Sequence, residues 1–206
     1  MARTPTYREL KAQILENASE LFRKQGYQGT TMDQIAGSVG MSKVRVYRYW
    51  DSKEEILFEA IKVFHRRFIN SLRKIVESSE APEDKLCKAI ANHATVFYTA
   101  LLPFAGGIVS PEPLITGKHR RAIVKLRDEY DSLLYSIIEE GMESGAFIKC
   151  DPRLVSFSIM GAANYVRMWY SDKGPLTLDE VVNYIADYLA NGILSPKYRK
   201  NLPPLT

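Results

Sequence analysis

The chain has 206 residues, is 46% hydrophobic and 25% charged, and carries a formal net charge of +4. That balance suits one or two globular domains and excludes a disordered chain. The opening MARTPTYRELK has no apolar leader, no stretch approaches the ~18 apolar residues of a membrane span, and Cys87 and Cys150 lie far apart in no metal-ligand spacing. A reduced cytoplasmic protein with no membrane attachment, metal or cofactor is therefore expected.

The charge is unevenly placed. Residues 1–50 carry 8 of the 28 basic and 4 of the 24 acidic side chains, leaving 20 of each for residues 51–206. A basic head on a neutral body suits a polyanion-binding module joined to something else. Chance clustering of solvated charge gives the same arithmetic, so a motif has to decide.

In chain order, apolar positions recur at helical spacing nearly throughout. Residues 8–25 place Leu10, Ile14, Ala18 and Leu21 on one face, and Gly26 is a natural stop. Thr31 caps a short helix carrying Met32, Ile35, Ala36 and Val39, ended by Gly40; Ser42 caps another that reads KVRVYRYW. Asp51 or Ser52 opens a long helix with Leu57, Ile61, Phe64, Phe68, Leu72 and Ile75 in one stripe, and Glu54 and Glu55 in its first turn suit the helix dipole. After SSEAPED, Leu86 to Leu102 reads as helix, stopped by Pro103. PFAGGIVSPEPLITGK is broken by prolines and glycines and reads as irregular. Helical periodicity resumes over 119–143, again from Asp151-Pro152 through Met168, and again from the cap Thr177 through Leu189. The tail SPKYRKNLPPLT reads as loose. The fold expected is all-α with about nine helices, a short-helix head over 1–52 and a long-helix body over 53–206.

Three short helices in the head, the second and third joined at Gly40-Met41-Ser42, describe a helix-turn-helix. In such a unit the last helix enters the major groove by its N-terminal end. Here that end offers Lys43, Arg45 and Arg48, with Tyr47 and Tyr49 supplying hydroxyls for phosphate oxygens. Arginine also suits the paired acceptors of guanine. Val46 and Trp50 read as core of the small subdomain; for the two arginines the choice is DNA or solvent.

The segment ILENASELFRKQGYQGTTMDQIAGSVGMSKVRVYRYWDSKEEIL resembles the DNA-binding head of TetR-family transcriptional regulators. The likeness spans about residues 10–60 and follows the order LF-x-x-x-GY, TT, IA, G-x-S, Y-x-Y and SKEE-x-L. The resemblance implies an all-helical homodimer on a palindromic double-stranded operator, released when a small molecule enters the body. By position it implies Thr31, Tyr47, Tyr49 and Lys53 as phosphate contacts, with Lys43, Val44, Arg45 and Arg48 on the base-reading surface. Val44-Arg45 replaces residues that are usually small, and Trp50 a usual phenylalanine, so no relative's operator sequence transfers.

Residues 119–206 are similar to members that sense acyl-CoA thioesters or related lipid and steroid acids, chiefly through Asn164, Trp169, Tyr170 and Gly174. A hydrophobic effector, an acyl-CoA among the candidates, is therefore expected. From the residues themselves, Phe97, Tyr98, Phe104, Tyr130, Phe157, Met160, Tyr165 and Met168 suit either a long apolar cavity or an ordinary core. Asn164 and Arg167 stand among apolar helix positions, where a polar group without a partner is costly, and are candidate ligand contacts. The candidate ligand set is thus Phe97, Phe104, Tyr130, Asn164, Arg167 and Met168. Arg120, Arg121 and Lys125 suit either the phosphates of a CoA or a solvated face. Leu154, Phe157, Gly161, Val182, Ile185 and Leu189 suit a four-helix seam between two subunits.

Catalysis finds no motif. His65, His93 and His119 are scattered and read as surface or packing residues, and the glycine pair at 106–107 lies between no strand and helix. No enzyme is expected. The alternatives are a sensor of drugs or aromatic compounds and a helical binding protein without DNA binding.

Overall fold

The computed structural model describes residues 5–99 and 115–199. Among these the elements are α1 Tyr7–Gly29, α2 Met32–Ser38, α3 Lys43–Val46, α4 Lys53–Val76, α5 Pro82–Thr99, α6 Gly117–Glu143, α7 Pro152–Trp169 and α8 Leu178–Asn191, with a single 3-10 turn at Pro196–Tyr198. The all-α expectation holds, with eight α-helices among the described residues instead of about nine. Phe104, the glycine pair at 106–107 and the final seven residues lie outside the described residues.

Two compact units are present, one drawn from Met1–His65 and Leu101–Lys125, the other from Arg66–Ala100 and Leu126–Thr206. α4 and α6 each contribute to both.

In the first unit, the Thr6 side chain caps α1 in a capping box with Glu9. Ile14, Ala18 and Phe22 are its buried residues; Phe22, not Leu21, completes the stripe. Gly26 breaks the helix at φ 77°, a backbone region that costs glycine nothing. Thr31 caps α2 in a second capping box with Gln34. The α2–α3 turn is a Schellman motif: Met41 N donates to Ala36 O at 2.9 Å and Gly40 N to Gly37 O at 3.2 Å, with Gly40 at φ 64°. α3 has one regular turn, shorter than KVRVYRYW promised. Tyr49 N and Trp50 N still donate to Val46 O, at 2.9 and 3.2 Å, and carry the coil on to Trp50.

In the second unit, α5 packs against α7 and α8, and α7 against α8. The small residues Ala94 and Ala163 meet Val182 where these helices approach, with Ala91 and Leu178 beside them. α5 begins at Pro82, four residues ahead of expectation, because the proline of SSEAPED takes the first helical position, with Glu83 and Asp84 in the first turn. Lys85, only 5% exposed, pairs with Glu140 of α6 at 3.0 Å.

The start of the tail is tied down at Leu194 and Ser195. Phe147 and Leu194 form an isolated antiparallel bridge, Ile148 N donates to Ile193 O at 2.9 Å, and Ser195 N to Ala146 O at 2.8 Å. The Phe147 ring lies on Gly141, where a Cβ would come within 2.1 Å of Phe147 Cδ2. No helix among the described residues is long and apolar enough to cross a membrane.

Candidate functional site

The head is assembled by side-chain hydrogen bonds at each joint. Gln25 Nε2 donates to Gly29 O at 3.0 Å and to Gln34 Oε1 at 3.0 Å, and the buried Thr30 hydroxyl donates to Gly26 O at 2.8 Å. These bonds replace helical partners that Gly26 removes, and they fix the start of α2 relative to the end of α1. Asp33, in the first turn of α2, accepts from Lys43 Nζ at 2.8 Å, which raises the Lys43 pKa. Ser42 then caps α3 by accepting from Arg45 N at 3.3 Å.

Around α3 the burial separates cleanly. Val46 is fully buried and Trp50 is 2% exposed, as expected for core. Lys43, Val44, Arg45, Tyr47 and Arg48 are all exposed, Val44 at 72%. Val44 thus adds an exposed apolar side chain next to Arg45 on this surface. Arg45 and Arg48 stand three residues apart, on one side of the turn.

Tyr49 is half-buried because its ring stacks on Tyr7, with centroids 4.8 Å apart, and the Tyr7 hydroxyl donates to Arg48 O at 3.4 Å. Tyr7 and Lys11 escaped the sequence reading. Lys11 Nζ lies 4.2 Å from the Trp50 ring centroid, a cation–π contact whose partner is 39 positions away in the chain and gives no local signal.

Thr31 is exposed, with its side chain engaged in the α2 cap. Lys53 is more committed than the sequence suggested. Its Nζ donates to Tyr27 O at 2.8 Å and Thr30 O at 2.7 Å and sits 4.2 Å over the Tyr27 ring. Burial lowers its pKa. Two of the three ammonium hydrogens thus close the end of α1, leaving one for a phosphate.

In the second unit three of the six candidate ligand residues gather around His93. This histidine is 7% exposed and has Nδ1 2.7 Å from Tyr130 Oη and Nε2 2.9 Å from Asn164 Oδ1. Phe97 stacks on its ring at 6.1 Å between centroids, and Phe68 meets it edge-on at 5.0 Å. His93 is indeed a packing residue, as expected, but one that joins α5, α6 and α7. Burial lowers its pKa to about 4, against a smaller opposing effect of the Asn164 bond, and burial pushes the Tyr130 phenol far up.

Arg167 is half-buried one turn beyond Asn164. Met168 does not join the cluster. It is 60% exposed on the opposite face of α7, with Leu154, Phe157, Tyr165 and Trp169, because Ser156, Ile159, Ala163 and Val166 form the inward face. Phe157 and Tyr165 therefore line no interior, and Val182, expected on a subunit seam, is buried within the unit. Arg120, Arg121 and Lys125 are exposed along α6. No group of three or more metal-binding side chains occurs among the described residues.

Residues 14–60 match the model of bacterial regulatory proteins of the tetR family, and residues 79–193 match the tetracyclin repressor-like C-terminal domain. The chain is 23% identical over 190 residues to the HTH-type transcriptional repressor KstR2 of Rhodococcus jostii, covering 90% of this chain and 92% of that one. Its fold is similar to that of the TetR family regulator PfmR from Thermus thermophilus, with TM-score 0.76 and 28% identity over 86% of this chain and 97% of PfmR. It is also similar to AibR crystallised with isovaleryl coenzyme A and operator DNA, with TM-score 0.75 and 24% identity over 89% of this chain and 97% of AibR. The second domain match alone spans more than half of the sequence, and with the helix-turn-helix geometry the chain belongs to the TetR family of transcriptional regulators.

Proposed function

We propose that this regulator is a repressor that binds a palindromic operator as a homodimer and is released when an acyl-CoA enters the body. The observation that carries the DNA side is the exposed run Lys43, Val44, Arg45, Tyr47 and Arg48 on a segment in which Val46 and Trp50 are core and Tyr49 is half-buried. Arg45 and Arg48 read base edges, while Thr31, Tyr47, Tyr49 and the third hydrogen of Lys53 meet phosphates. Residues 1–52 form the DNA-binding domain and 53–206 the effector and dimerisation domain.

Dimerisation is supported by the outer face of α7, where Leu154, Phe157, Tyr165, Met168 and Trp169 are each more than half exposed. A contiguous apolar face of this kind suits a second subunit better than water. Two heads on a two-fold dimer read inverted half-sites about one DNA turn apart.

The acyl-CoA side is supported by the aromatic cluster around His93 and by the AibR complex, whose fold this chain shares. The lever is α4, one continuous helix from Lys53 to Val76. A ligand shifts the DNA equilibrium only by its differential affinity for two head arrangements, and couplings of ~1–3 kcal/mol weaken binding roughly 5–150-fold.

A gel-shift titration on DNA upstream of the protein's own gene tests the DNA side. A discrete, salt-sensitive complex of one dimer on an inverted repeat is expected. A protein that stays monomeric in sedimentation at micromolar concentration, or binds all duplexes alike, contradicts it.

A further inference from the structure

The body's polar cluster has a direction, and the direction selects a ligand. His93 Nε2 faces Asn164 Oδ1 at 2.9 Å, and an amide oxygen only accepts, so Nε2 carries the proton. Nδ1 then holds a lone pair and accepts from the Tyr130 hydroxyl at 2.7 Å. Proton donation therefore runs one way, from Tyr130 to His93 to Asn164. The buried ring stays neutral near pH 7, since burial holds its pKa at about 4.

The consequence falls on the amide. With Oδ1 engaged by the histidine, the orientation of Asn164 is fixed and its Nδ2 turns both hydrogens away from His93. Asn164 is half-buried, and among the described residues these two hydrogens have no partner. Two donor hydrogens on an amide held by His93, whose ring in turn packs against Phe68 and Phe97, with no carboxylate in the hydrogen-bonded chain, are the complement of an acceptor with an apolar extension. An ammonium group offers only donors and is repelled there.

We infer that Asn164 binds the carbonyl oxygen of an apolar acyl ligand through Nδ2, and that His93 and Tyr130 are positioning residues which fix the amide for that purpose. The inference rests on the acyl-CoA reading above and deepens it: the group recognised is the thioester carbonyl. A free carboxylate supplies the same acceptor chemistry, so the source has to be separated by experiment.

Calorimetric titration of the full chain with straight-chain acyl-CoAs, the matching S-alkyl-CoA thioethers and the matching free fatty acids makes that separation. The thioether keeps chain and nucleotide but lacks the carbonyl, leaving the Asn164 donors unmet on binding. Its affinity is expected to be about tenfold lower than that of the thioester. In Asn164→Asp, which keeps an acceptor for His93 but removes both donors, the thioester-to-thioether ratio should fall towards one, with helix content followed by circular dichroism. Nitrogen NMR of the His93 ring should find Nε2 protonated and Nδ1 not, and Tyr130→Phe should reduce the ligand discrimination while leaving the thioether the weaker ligand.

Equal binding of thioester and thioether by the unaltered protein overturns the inference while leaving the acyl-CoA reading intact. Free acids binding as tightly as thioesters keeps the carbonyl contact and overturns the thioester as its source. Binding of neither CoA series overturns both readings, and an Nδ1-protonated His93 overturns the relay.

Discussion

The Lys53 ammonium donates to the Thr30 carbonyl oxygen at 2.7 Å, joining the first residue of α4 to the segment that leads into α2. With the second bond, to Tyr27 O, this one side chain closes the α1 terminus where Gly26 has ended regular helix. Lys53 therefore has a structural task besides any phosphate contact, and the two are separable.

Replacing Lys53 by Met is expected to lower stability by ~1–3 kcal/mol, since two charge-assisted bonds to backbone carbonyls are lost. Urea unfolding reads this without DNA. Its share in phosphate binding is read separately, as a fall of about one in the slope of log affinity against log salt. An unchanged stability means the paired bonds contribute nothing.

Arg45→Ala should cost ~1–3 kcal/mol of operator binding and relax preference at one base pair, while Tyr47→Phe should weaken all sequences alike. Binding to a library of single-base operator variants distinguishes the two patterns. An Arg45→Ala protein with unaltered preference at every position places α3 wrongly against the groove.

Gly141→Ala should destabilise the second unit by ~1–3 kcal/mol, because its Cβ would fall within 2.1 Å of Phe147 Cδ2 and the ring is held by the Phe147–Leu194 bridge. Thermal unfolding of the variant measures it. A second change, Phe147→Leu, should recover part of the loss by removing the ring from the glycine. Full wild-type stability in Gly141→Ala alone contradicts this packing.

Acid should destabilise the protein through His93. Its folded pKa, about 4, lies below the ordinary 6.5, so below pH 6.5 the unfolded chain gains a proton that the buried ring refuses. This contribution is fully retained above pH 6.5, is lost progressively as pH falls, and is gone near pH 4. A difference of that size amounts to roughly 3 kcal/mol. His93→Gln should remove this part of the pH slope, and a variant with the same slope as wild type rules His93 out as its source.

Much of the scaffold was legible because its signals are local. Thr31, Ser42 and Thr177 cap the helices they were expected to cap, Asp151-Pro152 starts its helix as expected, and Gly26 and Gly40 adopt the positive φ that their stop positions require. Pro82 was misread as a break because the same residue that ends one helix can begin the next. Phe22 displaced Leu21, since neighbouring apolar positions lie only ~100° apart around a helix and periodicity alone does not choose between them.

The cluster in the body was half legible. Asn164 stood out as a polar group among apolar positions and Tyr130 as a large aromatic one, but His93, which joins them, is 71 residues from the first and 37 from the second. The same holds for Tyr7 on Tyr49 and Gly141 under Phe147, where the meaning lies in the partner. Met168 and Phe157 shared the composition of a pocket wall, and only the inward face of α7 shows them outside it.

The most direct measurement of the central claim is anisotropy of a labelled operator, bound by the protein at fixed salt, titrated with an acyl-CoA series. Release at one range of chain lengths is expected, with apparent operator affinity falling roughly 5–150-fold. Operator that stays bound at every chain length but is released by planar cationic drugs would contradict the account.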